Sequence, residues 1–305
     1  MIYRLALGQA QTGVNVMDTV SRDSDYWETY TRNFSIISRG RQEQIKKLKV
    51  GIAGCGSTGG AFVDGLIRLG VTYYHLTDNG AYDQSNLNRQ MVGRKDIGRN
   101  KADVYGERIL DINPHASVKI WPNGLSLTNL NDFLSGIDFL FDAVDVTTAD
   151  GMKMKIALHE QAAALKIPTG SALDLGYTQR IQSYNYHLGE PALHGRLEQA
   201  KSKAHPISSL MAGFIDLEEI PPSFSEELLR MLTEPGSGAS QIASACFLLS
   251  SITTPYILHF LEYHRLPPLV AVDINSFFAT QMNQEKMQKA HAHCLPLIKD
   301  ILAKL

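Results

Sequence analysis

Cysteine is scarce in this chain of 305 residues: Cys55, Cys246 and Cys294 lie far apart, make an odd count and form no C-x-x-C pair. That argues against a disulfide framework of the secreted kind and favours a reducing compartment. Charge of one sign is missing too, since 29 Lys and Arg stand against 31 Asp and Glu for a formal net charge of −2. A near-neutral balance without a block of like charge argues against a surface built to hold nucleic acid or anionic lipid. The opening MIYRLALGQAQTG lacks the charged start, apolar run and cleavage site of an export signal, so a cytoplasmic protein is expected. Residues 242–261 approach the length of a bilayer span but carry five Ser or Thr together with Pro255 and His259. They are expected to form a core or interface helix, with no membrane involved.

What is present is an ordinary globular balance, 44% hydrophobic and 20% charged, sufficient for a buried core without a disulfide or metal staple. Residues 1–30 show no sustained periodicity and end in the aromatic cluster Tyr26, Trp27 and Tyr30, the pattern of an N-terminal arm packed on a larger body. From Val50 the pattern turns regular: a short apolar strand, a glycine turn, and a helix with Phe62, Leu66 and Leu69 on one stripe. The strand VTYYHLT follows, then Ala102, Tyr105, Ile109 and Ile112 recur at helical spacing until Asn113-Pro114 stops them, and SVKIW alternates as a strand. A further strand is expected over residues 139–144, a helix to about Lys166 and a short strand over 168–172. Strands alternating with helices predict the α/β class: a mainly parallel sheet with helices on both faces.

After Gly176 the segment QRIQSYNYH alternates as an antiparallel extension would. Residues 31–187 thus form the core of the pattern. Residues 188–240 hold Pro191, Pro206, Pro221, Pro222 and Pro235, two acidic pairs and the run EPGSGASQ. They predict a mobile, variable insertion with one or two short helices, suited to binding a partner or acting as a lid. Residues 241–305 return to the core with the apolar helix, a strand over 269–274 and a polar, Lys-rich end.

Two motifs carry chemistry. In VGIAGCGSTGG a strand runs into Gly54, Gly56 and Gly59 with G-x-G-x-x-G spacing at the mouth of a helix. Glycines let the backbone approach an anion, and the unpaired N–H groups and dipole of a helix N-terminus attract it. Asp78 follows 24 positions after Gly54, at the end of the next strand, where an acid reaches ribose hydroxyls. An adenine nucleotide is therefore expected, and this motif by itself does not separate NAD from ATP. The second motif is the polar run DNGAYDQSNLNRQ from Asp78 to Gln90. It places amides and the guanidinium of Arg89 just past a strand's C-terminal end, where open α/β sheets bind ligands. Lys101, in DIGRNKA, adds a cation as the next helix begins.

These residues resemble the ThiF/MoeB-type adenylyltransferases, relatives of the ubiquitin-activating enzymes. The resemblance covers about residues 30–175 through YTRNF, GCGSTGG, Asp78 with SNLNRQ, IGRNKA, INP and DAVD in the family's order, and continues more weakly over 241–280. It implies a Rossmann-like ATP-binding core in which the C-terminal carboxylate of a ubiquitin-like protein or peptide attacks the α-phosphate of ATP. An acyl-adenylate forms and pyrophosphate leaves. By this resemblance Gly54, Gly56 and Gly59 cradle the phosphates, Asp78 holds the ribose, and Asn86 and Gln90 join the nucleotide contacts. Asn86, Arg89 and Lys101 stabilise the polyphosphate, Asp145 of DAVD holds Mg²⁺, and Arg32 of YTRNF reaches the ATP of the neighbouring subunit in a homodimer. The apolar helix at 242–261 then supplies part of the dimer interface. Without the resemblance, Asp142 and Asp145 are simply strand-end acids.

The chain also departs from the family pattern. Many members carry an acid two residues after the ribose aspartate, where this chain has Gly80. Many hold a structural zinc with two C-x-x-C pairs, and with no such pair here no zinc of that kind is expected. His291, His293 and Cys294 have irregular ligand spacing and read as a polar helix end. Cys55, inside the glycine turn, sits where a helix N-terminus lowers a thiol pKa, although packing is the stronger reason for it. Neither it nor Cys246 reads as a thioester site. Three other readings stay open: a zinc-free relative activating a carboxylate on modified tRNA, a nucleotide-binding scaffold that has lost catalysis, and a nicotinamide-dependent dehydrogenase, against which SNLNRQ and Lys101 speak.

Overall fold

A strand covered on both faces must be apolar at successive positions, and Lys49–Ala53 (β1) meets that demand with every residue after Lys49 buried. The computed structural model describes residues 16–234 and 238–305. Seven strands form one sheet: β1, β2 (Tyr73–Thr77), β3 (Ser117–Trp121), β4 (Phe139–Asp142), β5 (Thr169–Leu175), β6 (Thr178–Tyr184) and β7 (Leu269–Asp273), in the order β3-β2-β1-β4-β5-β6-β7. The first five are parallel, whereas β6 and β7 are antiparallel to their neighbours. This is the α/β sheet with an antiparallel extension that the alternating pattern predicts.

Among the described residues the helices are α1 (Val16–Thr29), α2 (Arg39–Lys47), α3 (Ser57–Leu69), α4 (Lys101–Ile112), α5 (Leu130–Leu134), α6 (Ala149–Ala164), α7 (Leu197–Lys201), α8 (Pro206–Gly213), α9 (Ser225–Thr233), α10 (Ala243–Tyr263) and α11 (Gln281–Lys304). Side chains alternate across each strand, and this divides the interior into two cores. Val50 and Ile52 of β1 and Phe139 and Phe141 of β4 join Phe62, Leu66, Tyr105, Leu249 and Ile257 on the side of α3, α4 and α10. Ala53 and Leu140 face the other way, onto Phe133, Met152, Leu158, Leu210, Phe214 and Leu228. The strand order reverses between β2-β1 and β1-β4, so a crevice opens beyond the C-terminal ends of these strands.

The structure departs from the sequence expectations or adds to them in four places. The arm, whose sequence shows no sustained periodicity, contains α1, and Tyr26 and Tyr30 fasten it by donating to the carbonyls of Gly70 and Ile67, each at 2.8 Å. Its first fifteen residues lie outside the described residues. The short strand at 168–172 is longer, because β5 pairs along its whole length with β6 through a tight turn at Gly176, whose φ is +67°. Residues 188–234 carry α7, α8 and α9, not one or two helices, and Leu193, Ala200, Leu210, Phe214, Phe224 and Leu228 bury themselves in the second core. Residues 235–237, within the run expected to be flexible, lie outside the described residues. The polar C-terminal segment is a helix, α11, that packs against α9, where His291 meets Ser225 at 2.5 Å.

By length and composition α10 could span a bilayer. In the structure it lays Leu249, Thr253, Tyr256, Ile257 and Phe260 inward, and it packs closely on α3. That periodicity of i, i+4, i+7 is that of a helix buried on one face.

Candidate functional site

The crevice is a cleft of about 1430 Å³ lined from the ends of β1, β2, β4 and β5 by Gly54, Gly56, Asp78, Arg89, Lys101 and Asp145, among others. A smaller groove of about 640 Å³, between Pro222, Asp273 and α11, lies away from these strand ends and holds none of the expected site residues.

The glycine turn shows why two of its glycines are needed for shape. Gly54 has φ +91°, and a side chain there would meet the Ala143 carbonyl oxygen at 2.5 Å. Gly56, by contrast, has open space where a Cβ would point, the condition for close ligand approach. Gly56 is also the N-cap of α3 and offers no side-chain cap, so the first N–H groups of that helix are not capped by its own N-cap residue. Asp78 locks the turn from the neighbouring strand, accepting from Cys55 N and Gly80 N, each at 2.7 Å. Burial and the nearby Asp78 push the Cys55 thiol well above its ordinary value, correcting the idea that the helix N-terminus acidifies it.

In the polar run, Asp83 and Asn86 make a reciprocal capping box: Asp83 Oδ1 accepts from Asn86 N at 3.2 Å and Asn86 Oδ1 accepts from Asp83 N at 3.3 Å. Asn86 is thereby buried and is not among the cleft-lining residues. It shapes the turn that presents Arg89. Gln90 does line the cleft, and its buried side-chain oxygen has no hydrogen-bond partner among the described residues. Lys101 opens α4 behind the N-cap Asn100, a costly place for a cation because the helix dipole is positive there. Its ammonium lies 5.9 Å from the centre of the Tyr82 ring, without an ion pair among the described residues. An anionic ligand would offset that cost.

The DAVD motif separates into two roles. Asp145 is exposed at the cleft, where its carboxylate accepts from Thr147 N at 2.9 Å and Thr147 Oγ1 at 2.8 Å. No cluster of three or more His, Cys, Asp or Glu suited to a metal occurs among the described residues. One carboxylate still fits Mg²⁺, which keeps waters and substrate phosphates as its other ligands. Asp142, three residues earlier, is fully buried and pairs with Lys155, while Ser171 Oγ donates to it at 2.7 Å and His159 Nε2 lies 2.9 Å away. Burial alone would push its carboxyl up, but Lys155 and His159 outweigh that and hold it well below the usual carboxylate range. Burial lowers the His159 pKa, so the ring is neutral near pH 7. Facing a carboxylate, Nε2 must carry the proton. Nδ1 then accepts from the Tyr186 hydroxyl at 2.9 Å, which itself accepts from Leu193 N at 3.2 Å. This chain of bonds ties the end of β4 to residues 188–234.

Two cleft residues were absent from the sequence reading. Asp174, on β5, is almost wholly buried, near Ser57 Oγ at 3.4 Å and Cys246 Sγ at 3.6 Å. Burial raises its pKa against those hydrogen bonds and the pull of Arg89. An acid inside the apolar strand TGSALDL was the available signal. Gln241 binds both Asp174 and Arg89, and no sequence pattern marks it. Arg32 lies exposed on the 3-10 turn Thr31–Asn33 and does not line the cleft.

Residues 30–295 match the model of the ThiF family. An uncharacterized protein of Mycobacterium tuberculosis is 32% identical over 167 residues, which is 54% of this chain and 22% of the other. The tRNA threonylcarbamoyladenosine dehydratase of Haemophilus influenzae is 31% identical over 135 residues, 44% of this chain and 51% of the other. The chain thus spans about half or less of the length of these curated relatives. Among solved structures, PaaA superposes with a TM-score of 0.59 at 19% identity, over 87% of this chain and 82% of PaaA. Escherichia coli MccB, in a crystal structure with ATP, gives 0.56 at 18% identity, over 81% and 68%. At such identities the likeness is one of fold.

Proposed function

We propose, from the premise that this chain belongs to the ThiF family, that it is an ATP-dependent adenylyltransferase. The observation that carries the reading is the meeting of the α3 N-terminus, Asp78, Arg89, Lys101 and Asp145 around one cleft. The phosphates of a nucleotide would answer the helix N-terminus, Arg89 and Lys101, its ribose Asp78, and its Mg²⁺ Asp145, and a nicotinamide dehydrogenase has no use for Lys101 and Asp145 together.

In this reading a carboxylate oxygen of the substrate attacks the α-phosphorus of ATP. The bond from that phosphorus to the bridging oxygen of the β-phosphate breaks, and pyrophosphate carries away the electron pair. The attacking carboxylate is already ionised at neutral pH, so no general base is required. The chain's part is positioning and charge stabilisation. Backbone N–H groups at Gly56 and Ser57 face the phosphates, and Gly54 and Gly59 keep the turn tight enough to present them. Asp78 accepts from the ribose, Gln90 contributes its free acceptor, and Asn86 shapes the run that carries Arg89. Arg89 and Lys101 meet the charge that grows on the phosphoryl oxygens. Mg²⁺ held by Asp145 would neutralise the leaving pyrophosphate. Arg32, outside its own cleft, would serve the partner's cleft in a homodimer.

The substrate is the C-terminal carboxylate of a ubiquitin-like protein or peptide. A second reading, a carboxylate on modified tRNA, draws support from the Haemophilus influenzae relative, while the formal net charge of −2 gives RNA no general attraction. Thermal unfolding separates nucleotide classes first, since ligand at about one hundred times its Kd stabilises by ~2.7 kcal/mol. Stabilisation by Mg·ATP and none by NAD is expected, and the reverse would overturn the reading. Pyrophosphate release on adding peptide, ubiquitin-like protein or tRNA then identifies the acceptor class.

A further inference from the structure

Gln241 bridges two parts of the cleft that are distant in sequence. Its side-chain oxygen accepts from Arg89 Nε at 2.7 Å, and its amide nitrogen donates to Asp174 Oδ2 at 2.9 Å. Its backbone carbonyl accepts from Asn88 Nδ2 at 3.1 Å. Arginine only donates hydrogen bonds, so the oxygen of Gln241 must face Arg89 and its NH₂ must face the carboxylate. An amide satisfies both neighbours at once, which neither a carboxylate nor an ammonium does.

The guanidinium is held on one side only. Arg89 Nη1 donates to the Ser85 carbonyl at 3.2 Å and to Asn88 Oδ1 at 2.8 Å, while Nε is taken by Gln241. Nη2 has no partner among the described residues and stays available to a ligand. Asp174, which anchors the other end of Gln241, sits on a central strand and is only 8% exposed. The arginine is thus braced against the sheet through one intervening side chain.

We propose that Gln241 is a positioning residue for Arg89, holding the guanidinium so that Nη2 faces the nucleotide phosphates, with Asp174 as the anchor of that brace. The proposal rests on the nucleotide reading above. Its effect is to meet the cost of ordering a long side chain when the protein folds, not when the ligand arrives. Gln241 touches no reacting atom in this scheme and acts through Arg89.

The test measures Kd for Mg·ATP and for adenosine, which lacks phosphates, with the full chain and the variants Gln241→Ala, Arg89→Ala and both together. Gln241→Ala is expected to weaken Mg·ATP about tenfold, as loss of a charge-assisted contact would, and to leave adenosine unchanged. Added to Arg89→Ala it should cost nothing further. A paired variant, Gln241→Glu with Asp174→Asn, reverses the polarity of the bond to β5 while keeping an acceptor for Arg89, and it should recover most of the lost affinity. Additive losses from Gln241→Ala and Arg89→Ala, or equal losses for Mg·ATP and adenosine, would overturn the proposal alone. Wild-type binding of Mg·ATP by Arg89→Ala would overturn the phosphate reading of Arg89 and this proposal with it.

Discussion

A Cβ on Gly59 would lie 1.7 Å from the carbonyl oxygen of Gly54. No side-chain rotation relieves that contact, because both atoms belong to or are fixed by the backbone. The third glycine of the turn therefore serves helix–strand packing, whereas the space beside Gly56 is open to the cleft.

The two positions should respond differently to alanine. Gly59→Ala is expected to lower the melting temperature and abolish stabilisation by Mg·ATP. Gly56→Ala, entering open space, should melt like the wild type yet lose most of the ATP-induced shift. Equal behaviour of the two variants in a thermal unfolding series would refute this division of labour.

Asp145→Ala should change stability by no more than about 0.5 kcal/mol, since Asp145 is exposed and bonds only Thr147 among the described residues. Pyrophosphate formation with substrate is nevertheless expected to vanish. Mixing inactive Asp145→Ala and Arg32→Ala chains should restore part of the activity if Arg32 acts across a dimer. Unchanged turnover in the first variant removes Asp145 from the mechanism, and no recovery in the mixture means that Arg32 acts within its own chain or not at all.

Asp142→Asn leaves the buried Lys155 without its counter-charge and should cost about 3–5 kcal/mol. The sign of the pH dependence follows from the depressed pKa. The Asp142 contribution is complete above the unfolded value of 3.8 and is lost as pH falls toward the lower folded one. Denaturant unfolding should therefore show Asp142→Asn and wild type converging in strong acid. Replacing Lys155 by Met in the same variant should recover stability, because the unpaired charge is gone.

Asp174 gives the opposite slope. Its pKa is raised in the folded chain, so its contribution is complete below 3.8 and declines as pH rises through the folded value. Asp174→Asn should gain on wild type in urea titrations as pH rises from 3.8 through the raised folded value. A difference that stays constant across that range would place the carboxylate's cost elsewhere.

The glycine turn, Asp78, Arg89 and Lys101 were legible because strand ends and helix starts fix where short motifs point. Asn86 was legible as part of the run but not in its direction, since the reciprocal bonds with Asp83 turn it inward. Gln241 could not be read, because its role depends on a contact 152 residues away in the chain. Residues 188–234 misled for another reason: Pro206 and Pro222 looked like breaks, yet each stands in the first turn of a helix, where a missing N–H costs nothing. The hydrophobic residues behind them follow no single period, so their burial emerges only when the layer closes over α6.

All three thiols are enclosed: Cys55 is 0%, Cys246 2% and Cys294 3% exposed. They sit in the glycine turn, beside Asp174 and on α11, and so they form a built-in set of reporters. An alkylating reagent should ignore the native chain and label each sulfur only as its own neighbourhood opens, since the thiolate must be both exposed and formed. The order of labelling under mild denaturant would rank the glycine turn, the surroundings of Asp174 and the C-terminal helix by the ease with which each comes apart, without any engineered probe.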